Sequence, residues 1–207
     1  MDSNIQRKLL QVIHENYPVG SPWIKNWNDT LQKVVEDKID DKSESVISWN
    51  TLINKLRDKG LSIQNLSHLQ FPNLMLIVGH SETFQNVTIY KNLAVCLSLL
   101  CPFYTYYYEY NHKVRIGEGL LPFNNFVFHS QKNFESLKIF VPLKDIESTL
   151  NYHFPGHSFI SHYSLMMNKI SSGFPYGVSS INNDNLEYSF YQFLFNSEQP
   201  NSNSIFQ

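Results

Sequence analysis

The stretch "FYTYYYEYNHKVRIG", Phe103 to Gly117, places five tyrosines within its first eight residues. Tyrosine and phenylalanine favour the pleated, half-buried surface of a sheet, so the segment reads as a β-strand. Side chains alternate along a strand. Tyr104, Tyr106, Tyr108 and Tyr110 therefore share one face, and Thr105, Tyr107 and Glu109 share the other. Asn111-His112 is expected to turn the chain into "KVRIG" and close a hairpin. Four phenols on one face offer large, rather rigid contact area with polar tips, as at protein interfaces and in ligand grooves. The plainer alternative is a half-buried sheet face packed under a helix, with the hydroxyls at the rim. Glu109 lies three residues before His112, and the two could meet at the hairpin end as an acid–base pair.

The neighbouring segments extend the sheet. "NLMLIVGH" (Asn73–His80), bounded by Pro72 and Gly79, reads as a buried strand, and "TFQNVTIYKN" (Thr83–Asn92) as a second. "LAVCLSLLC" (Leu93–Cys101) fits a helix or a buried strand, and Pro102 ends it in either case. "NNFVFHS" (Asn124–Ser130), "SLKIFVP" (Ser136–Pro142) and "EYSFYQFLF" (Glu187–Phe195) read as further strands. "PLKDIESTLNYHF" (Pro142–Phe154) and "SFISHYSLMMNKI" (Ser158–Ile170) read as two late helices, with Pro142 at the entrance of the first and Ser158 capping the second.

Before the sheet the pattern is helical. Ile5, Leu9, Val12, Ile13 and Tyr17 recur at helical spacing after Ser3, a candidate N-cap. A second apolar stripe, starting near Pro22, carries Ile24, Trp27, Leu31, Val34 and Val35. A third carries Trp49, Leu52, Ile53 and Leu56, capped at or near Ser48 and stopped at Gly60. Charge follows the same division, since residues 1–60 hold 9 basic and 9 acidic side chains but only 4 of the 30 aromatics. The expected organisation is one domain over 1–207: a helical part at 1–60, a sheet-rich part at 61–195 and a polar tail at 196–207. The expected fold class is α+β, a mixed, mostly antiparallel sheet packed against N-terminal helices and a late helical pair. Strands and helices do not alternate regularly, so the helices are expected on one side of the sheet.

Composition excludes several functions. Net charge is −2 and no basic run occurs, so neither nucleic acid nor an anionic membrane surface is an expected partner. The N-terminal residues lack the apolar core of a signal peptide, and "LAVCLSLLCPF" is far shorter than the about 20 residues that span a bilayer. Cys96 and Cys101 both lie in that run and read as buried free thiols of a cytoplasmic protein. Phosphate-cradling loops and dinucleotide fingerprints are absent, and no cofactor is expected.

"HFPGHSFISH" (His153–His162) is the other place where chemistry is conceivable. His153, His157 and His162 have a spacing that invites a metal, but Pro155-Gly156 breaks the helix needed to align the first two. They read instead as imidazoles near helix ends. Gly156-His157-Ser158 and Gly79-His80-Ser81 resemble half of a nucleophile elbow, and both lack the glycine two residues after the serine. The expected function is thus a non-enzymatic binding protein. It would recognise another protein or a small ligand through Tyr104, Tyr106, Tyr108, Tyr110, Glu109 and His112. Small cytosolic inhibitors such as bacterial toxin-neutralising immunity proteins are one such kind. The alternative is a hydrolase-like enzyme built on His157, Ser158 or His80.

Overall fold

The computed structural model describes residues 1–19, 27–128, 143–171, 173–177 and 187–196. The expected strand at Ser136–Pro142, the entrance of the first late helix at Pro142, the start of the second helix near Pro22 and the tail beyond Asn196 lie outside these residues. Three helices come first: α1 (Ser3–Asn16), α2 (Trp27–Ile39) and α3 (Glu44–Asp58). The cap of α1 is Asp2 rather than Ser3; its carboxylate accepts from the Asn4 and Ile5 N–H groups. Ser43 caps α3 by accepting from Val46 N–H, one turn earlier than the apolar stripe suggested. Leu9 and Ile13 of α1, and Trp49, Leu52, Ile53 and Leu56 of α3, are buried as their spacing requires.

The sheet follows: β1 (Ile63–Asn65), β2 (Asn73–Phe84), β3 (Val87–Ser98), β4 (Phe103–Ile116) and β5 (Gly119–Phe128), in that order, each antiparallel to the next. A short β6 (Ser158–Phe159) pairs in parallel with Phe103 and Tyr104, along the edge of β4 that β5 occupies further on. The sheet is therefore mixed and mostly antiparallel, and the fold is α+β. Two turns differ from expectation. The chain does not reverse at Asn111-His112: β4 runs on to Ile116, a bulge at His112/Lys113 absorbs the register, and the turn uses Gly117 at φ 61°. The preceding hairpin reverses at Gln85-Asn86, inside the segment read as one strand, with Gln85 at φ 53°. Neither turn carries Asn-Gly or Asp-Gly, the strongest short-range hairpin signals.

Leu93 to Ser98, the ambiguous run, is the inner half of the central strand β3, and every one of its residues is buried. A strand alternates only where one of its faces meets water; a strand covered on both faces reads as a continuous apolar run. Helices indeed lie on both sides, not on one. On the face of Leu74, Leu76, Leu93, Val95, Tyr106 and Tyr108, Trp49 of α3 donates to Asn65 and Tyr106 meets Glu147 of α4 (Leu143–His153). On the face of Cys96, Thr105 and Tyr107 sit α5 (His162–Met167) and α6 (Phe190–Leu194), whose His162 and Tyr191 pack against Tyr107. Helix α1 joins this second layer, with the Tyr17 hydroxyl donating to Phe193 O.

The late segments reassign two expectations. Ser158 does not cap a helix: it lies in β6, and Ser161 is the cap of α5. "EYSFYQFLF" is not one strand. Glu187–Ser189 forms β8 against β7 (Lys169–Ser171), and Phe190–Leu194 is helix α6, buried at all five positions. A helix enclosed all round carries no polar face, so its composition imitates a strand. Its signature was the capping box, Ser189 with Gln192 at the third helical position.

Candidate functional site

The tyrosines of β4 are largely used by the fold. Tyr104 and Tyr108 are 4% and 1% exposed. Tyr106 is half-buried, stacks on Phe159 at 4.6 Å between centroids and donates its hydroxyl to Glu147 Oε1 at 3.3 Å. Burial and the nearby Glu147 carboxylate raise the Tyr106 phenol. The four phenols share a face as expected, but the Phe159 ring of β6 and Glu147 of α4 meet its inner part, leaving Tyr110 half-buried beside His112 at 4.7 Å. Glu109 and His112 stand on opposite faces of β4, because three residues separate them on a strand. No acid–base pair forms between them.

The candidate hydrolase residues do not converge. His80 pairs through β3 with the Tyr110 level of β4, whereas Ser158 pairs with Phe103. Seven residues of strand separate those levels, about 23 Å. Ser81 follows His80 on β2 and so points to the other face. His80 meets Glu82 at 3.5 Å, and Glu82 is held below the usual carboxylate range chiefly by Lys91 at 2.9 Å. His153 ends α4, His157 packs edge-on to Phe154, and His162 is 1% exposed and stacked 4.4 Å from Tyr107. Among the described residues no three His, Cys, Asp or Glu side chains are grouped to hold a metal ion. Cys96 and Cys101 are free and buried, and burial pushes their thiols up to about 12 and about 11. Hydrocarbon surroundings of this kind leave a thiol inert.

The open site lies on the face opposite the tyrosine ladder, at the outer half of the sheet, where α5 and α6 no longer reach. There a cavity of about 540 Å³ is lined by Gln64, Gly79, Ser81, Tyr90, Asn92, Asn111 and Lys113, with Ser62, Ile63, Ile77 and His80 around it. The register builds it in rows. Gly79, Asn92 and Glu109 are cross-strand neighbours on β2, β3 and β4, and Ser81, Tyr90 and Asn111 form the next row. Lys113 places its ammonium 4.9 Å from the Tyr90 ring centroid. Gly79 is required for the first row: a Cβ there would lie 2.9 Å from Asn92 Oδ1. Glu109, beside Asn92, has its carboxyl raised by burial, with Asn92 acting in the opposite sense. The Oδ1 atom of Asn111 is buried and has no hydrogen-bond partner among the described residues. A buried acceptor left without a partner costs about 1–3 kcal/mol, so such groups call for an explanation.

Of the candidate site residues named from sequence, His80 lines this site and Glu109 borders it through Asn92. Tyr90, Asn92, Lys113 and Gln64 escaped notice as isolated polar residues, while Asn111 was read as part of a turn and Ser81 as part of an elbow. Their signal was positional: Gly79-x-Ser81, Tyr90-x-Asn92 and Asn111-x-Lys113 put polar groups at every second position of three consecutive strands. That pattern marks a wet sheet face only once the register is known. No protein-family model matches the chain, and no curated protein and no solved structure is detectably similar to it. The fold and site thus define an α+β protein with a polar groove across the outer half of its sheet. No helix among the described residues is long and apolar enough to cross a membrane.

Proposed function

We propose that this protein is a non-enzymatic binding protein whose ligand lies in the groove over Tyr90, Asn92 and Asn111. The observation that carries the reading is a polar cavity of about 540 Å³ lined by the Gln64, Asn92 and Asn111 carboxamides. That volume falls in the range of about 300–1,000 Å³ usual for small-molecule sites. Recognition through the phenol ladder is less well supported, since Tyr104 and Tyr108 are already covered. The described lining carries amides and hydroxyls that orient a ligand, with no nucleophile–base pair among those residues, which favours binding over hydrolysis. Two free, buried thiols suit a reducing, cytoplasmic setting.

The test is titration of the isotopically labelled protein with a small-molecule library, following the side-chain amides of Gln64, Asn92 and Asn111. A true ligand shifts these three signals together and leaves those of Gln11 and Gln32 in place. A ligand that moves only signals near Tyr110 and His112 would restore the tyrosine-face reading.

A further inference from the structure

We infer that the ligand of this groove is a neutral, polyhydroxylated molecule of saccharide type. This rests on the binding reading above and gives it a chemical class. The lining offers three carboxamides (Gln64, Asn92, Asn111), the Ser62 and Ser81 hydroxyls, one aromatic plane (Tyr90) and one formal charge (Lys113). An anion is poorly served: among the described lining residues Lys113 is the one Lys or Arg, and its ammonium is placed over the Tyr90 ring. Lys91 belongs to the other face, where it is engaged by Glu82. A cation would meet Lys113, and no carboxylate is among the described lining residues. An apolar ligand would strip water from the amides and return contact with only Ile63 and Ile77 among aliphatic residues.

A carboxamide is donor and acceptor at once, two donors on nitrogen and an accepting oxygen. Vicinal hydroxyls are the complementary partner, since each both donates and accepts. The Gln64, Asn92 and Asn111 carboxamides line the cavity, and hydroxyls meet such groups without importing charge. Tyr90 adds, on the ring face not taken by the Lys113 ammonium, the flat apolar surface against which the C–H face of a sugar ring packs. Gly79 contributes by absence: without a Cβ there, Asn92 holds its amide over the β2 backbone. The cavity is roomy enough for more than one ring.

The experiment uses the full chain and a defined set of probes. Neutral di- and trisaccharides of glucose, galactose and N-acetylglucosamine are compared with a nucleoside monophosphate, a polyamine and unstructured peptides. Amide shifts at Gln64, Asn92 and Asn111 are the readout, with isothermal titration for affinity. At least one neutral saccharide is expected to shift all three. Asn111→Ala and Tyr90→Ala should each weaken it by about tenfold or more, the loss of one well-placed buried contact. Thermal melting of both variants shows that they remain folded, and Asn111→Asp, which keeps the oxygen acceptor, should recover part of the affinity. If the amides answer only to the nucleotide, the polyamine or a peptide, the saccharide assignment is overturned and the groove remains a binding site. If no probe and no library compound moves them, both readings fall.

Discussion

Gly79 and Asn92 face each other across the β2–β3 ladder, and a methyl group on Gly79 would sit 2.9 Å from Asn92 Oδ1. The contact is too close for a real Cβ, yet the atom it meets is the end of a side chain that can rotate. Gly79→Ala is therefore expected to cost little stability, about 1 kcal/mol or less, while turning the Asn92 amide out of its row. The change should appear as a displaced Asn92 side-chain signal and weaker ligand binding with a nearly unchanged melting temperature. A large loss of stability with the amide in place would contradict this account of the glycine.

The carboxyl of Glu109 is raised above its ordinary value of 4.5 because burial disfavours its charge. A raised acid binds its proton more tightly in the folded state than in the unfolded one. Its contribution to stability is full below the unfolded pKa and declines as pH rises from about 4.5 through the folded pKa. The stability of the wild type minus that of Glu109→Gln should accordingly fall across that window and level off above it. Urea denaturation at a series of pH values measures the difference; a flat or rising profile would remove burial as the dominant influence on Glu109.

Gln85 occupies the left-handed region, φ 53°, in the two-residue turn between β2 and β3. L-residues with a Cβ are strained there by about 1–2 kcal/mol, and glycine is not. Gln85→Gly should raise stability by about 0.5–1 kcal/mol, the remainder being offset by the added freedom of the unfolded chain. A higher urea midpoint with an unchanged m-value is the expected result.

Ser189 and Gln192 close a capping box at the start of α6, with Ser189 Oγ accepting from Gln192 N–H and Gln192 Oε1 accepting from Ser189 N–H. This helix is enclosed by the core, so its terminal N–H groups find no water if the cap is lost. Ser189→Ala should destabilise the protein by about 1–2 kcal/mol, more than a cap on an exposed helix. Chemical denaturation decides it, and Ser161→Ala, at the more open cap of α5, is the comparison.

Cys96 and Cys101 should resist thiol reagents in the native state, since burial keeps both in the neutral form at about pH 8. Both should react at once in denaturant. Rapid labelling of the folded protein would instead place one of them at an accessible surface.

The strand character of Phe103–Tyr110, the stripes of α1 and α3 and the α+β class were legible in the chain because each rests on local periodicity and propensity. So was the break at Pro155-Gly156, which ends α4 at His153 and leaves His157 outside a helix. The buried runs were not legible. Leu93–Ser98 and Phe190–Leu194 are enclosed on all sides, and enclosure erases the polar positions that distinguish strand from helix. The turn at Gln85-Asn86 and the continuation of β4 through Asn111-His112 were equally hidden. Register is set by how whole strands pack, and the residues at those points carry no strong turn signal.

The groove belongs wholly to the second category. Gly79, Asn92 and Glu109 are spread over thirty residues of sequence and become one row only when three strands align. The sequence alone determined what each segment can form locally, because period and propensity act over a few residues. Which parts of the sheet's two faces are covered by helices, and which half of one face is left as a groove, was decided by long-range packing. No local stretch contains that information, since it depends on where α4, α5 and α6 come to rest on strands laid down much earlier in the chain.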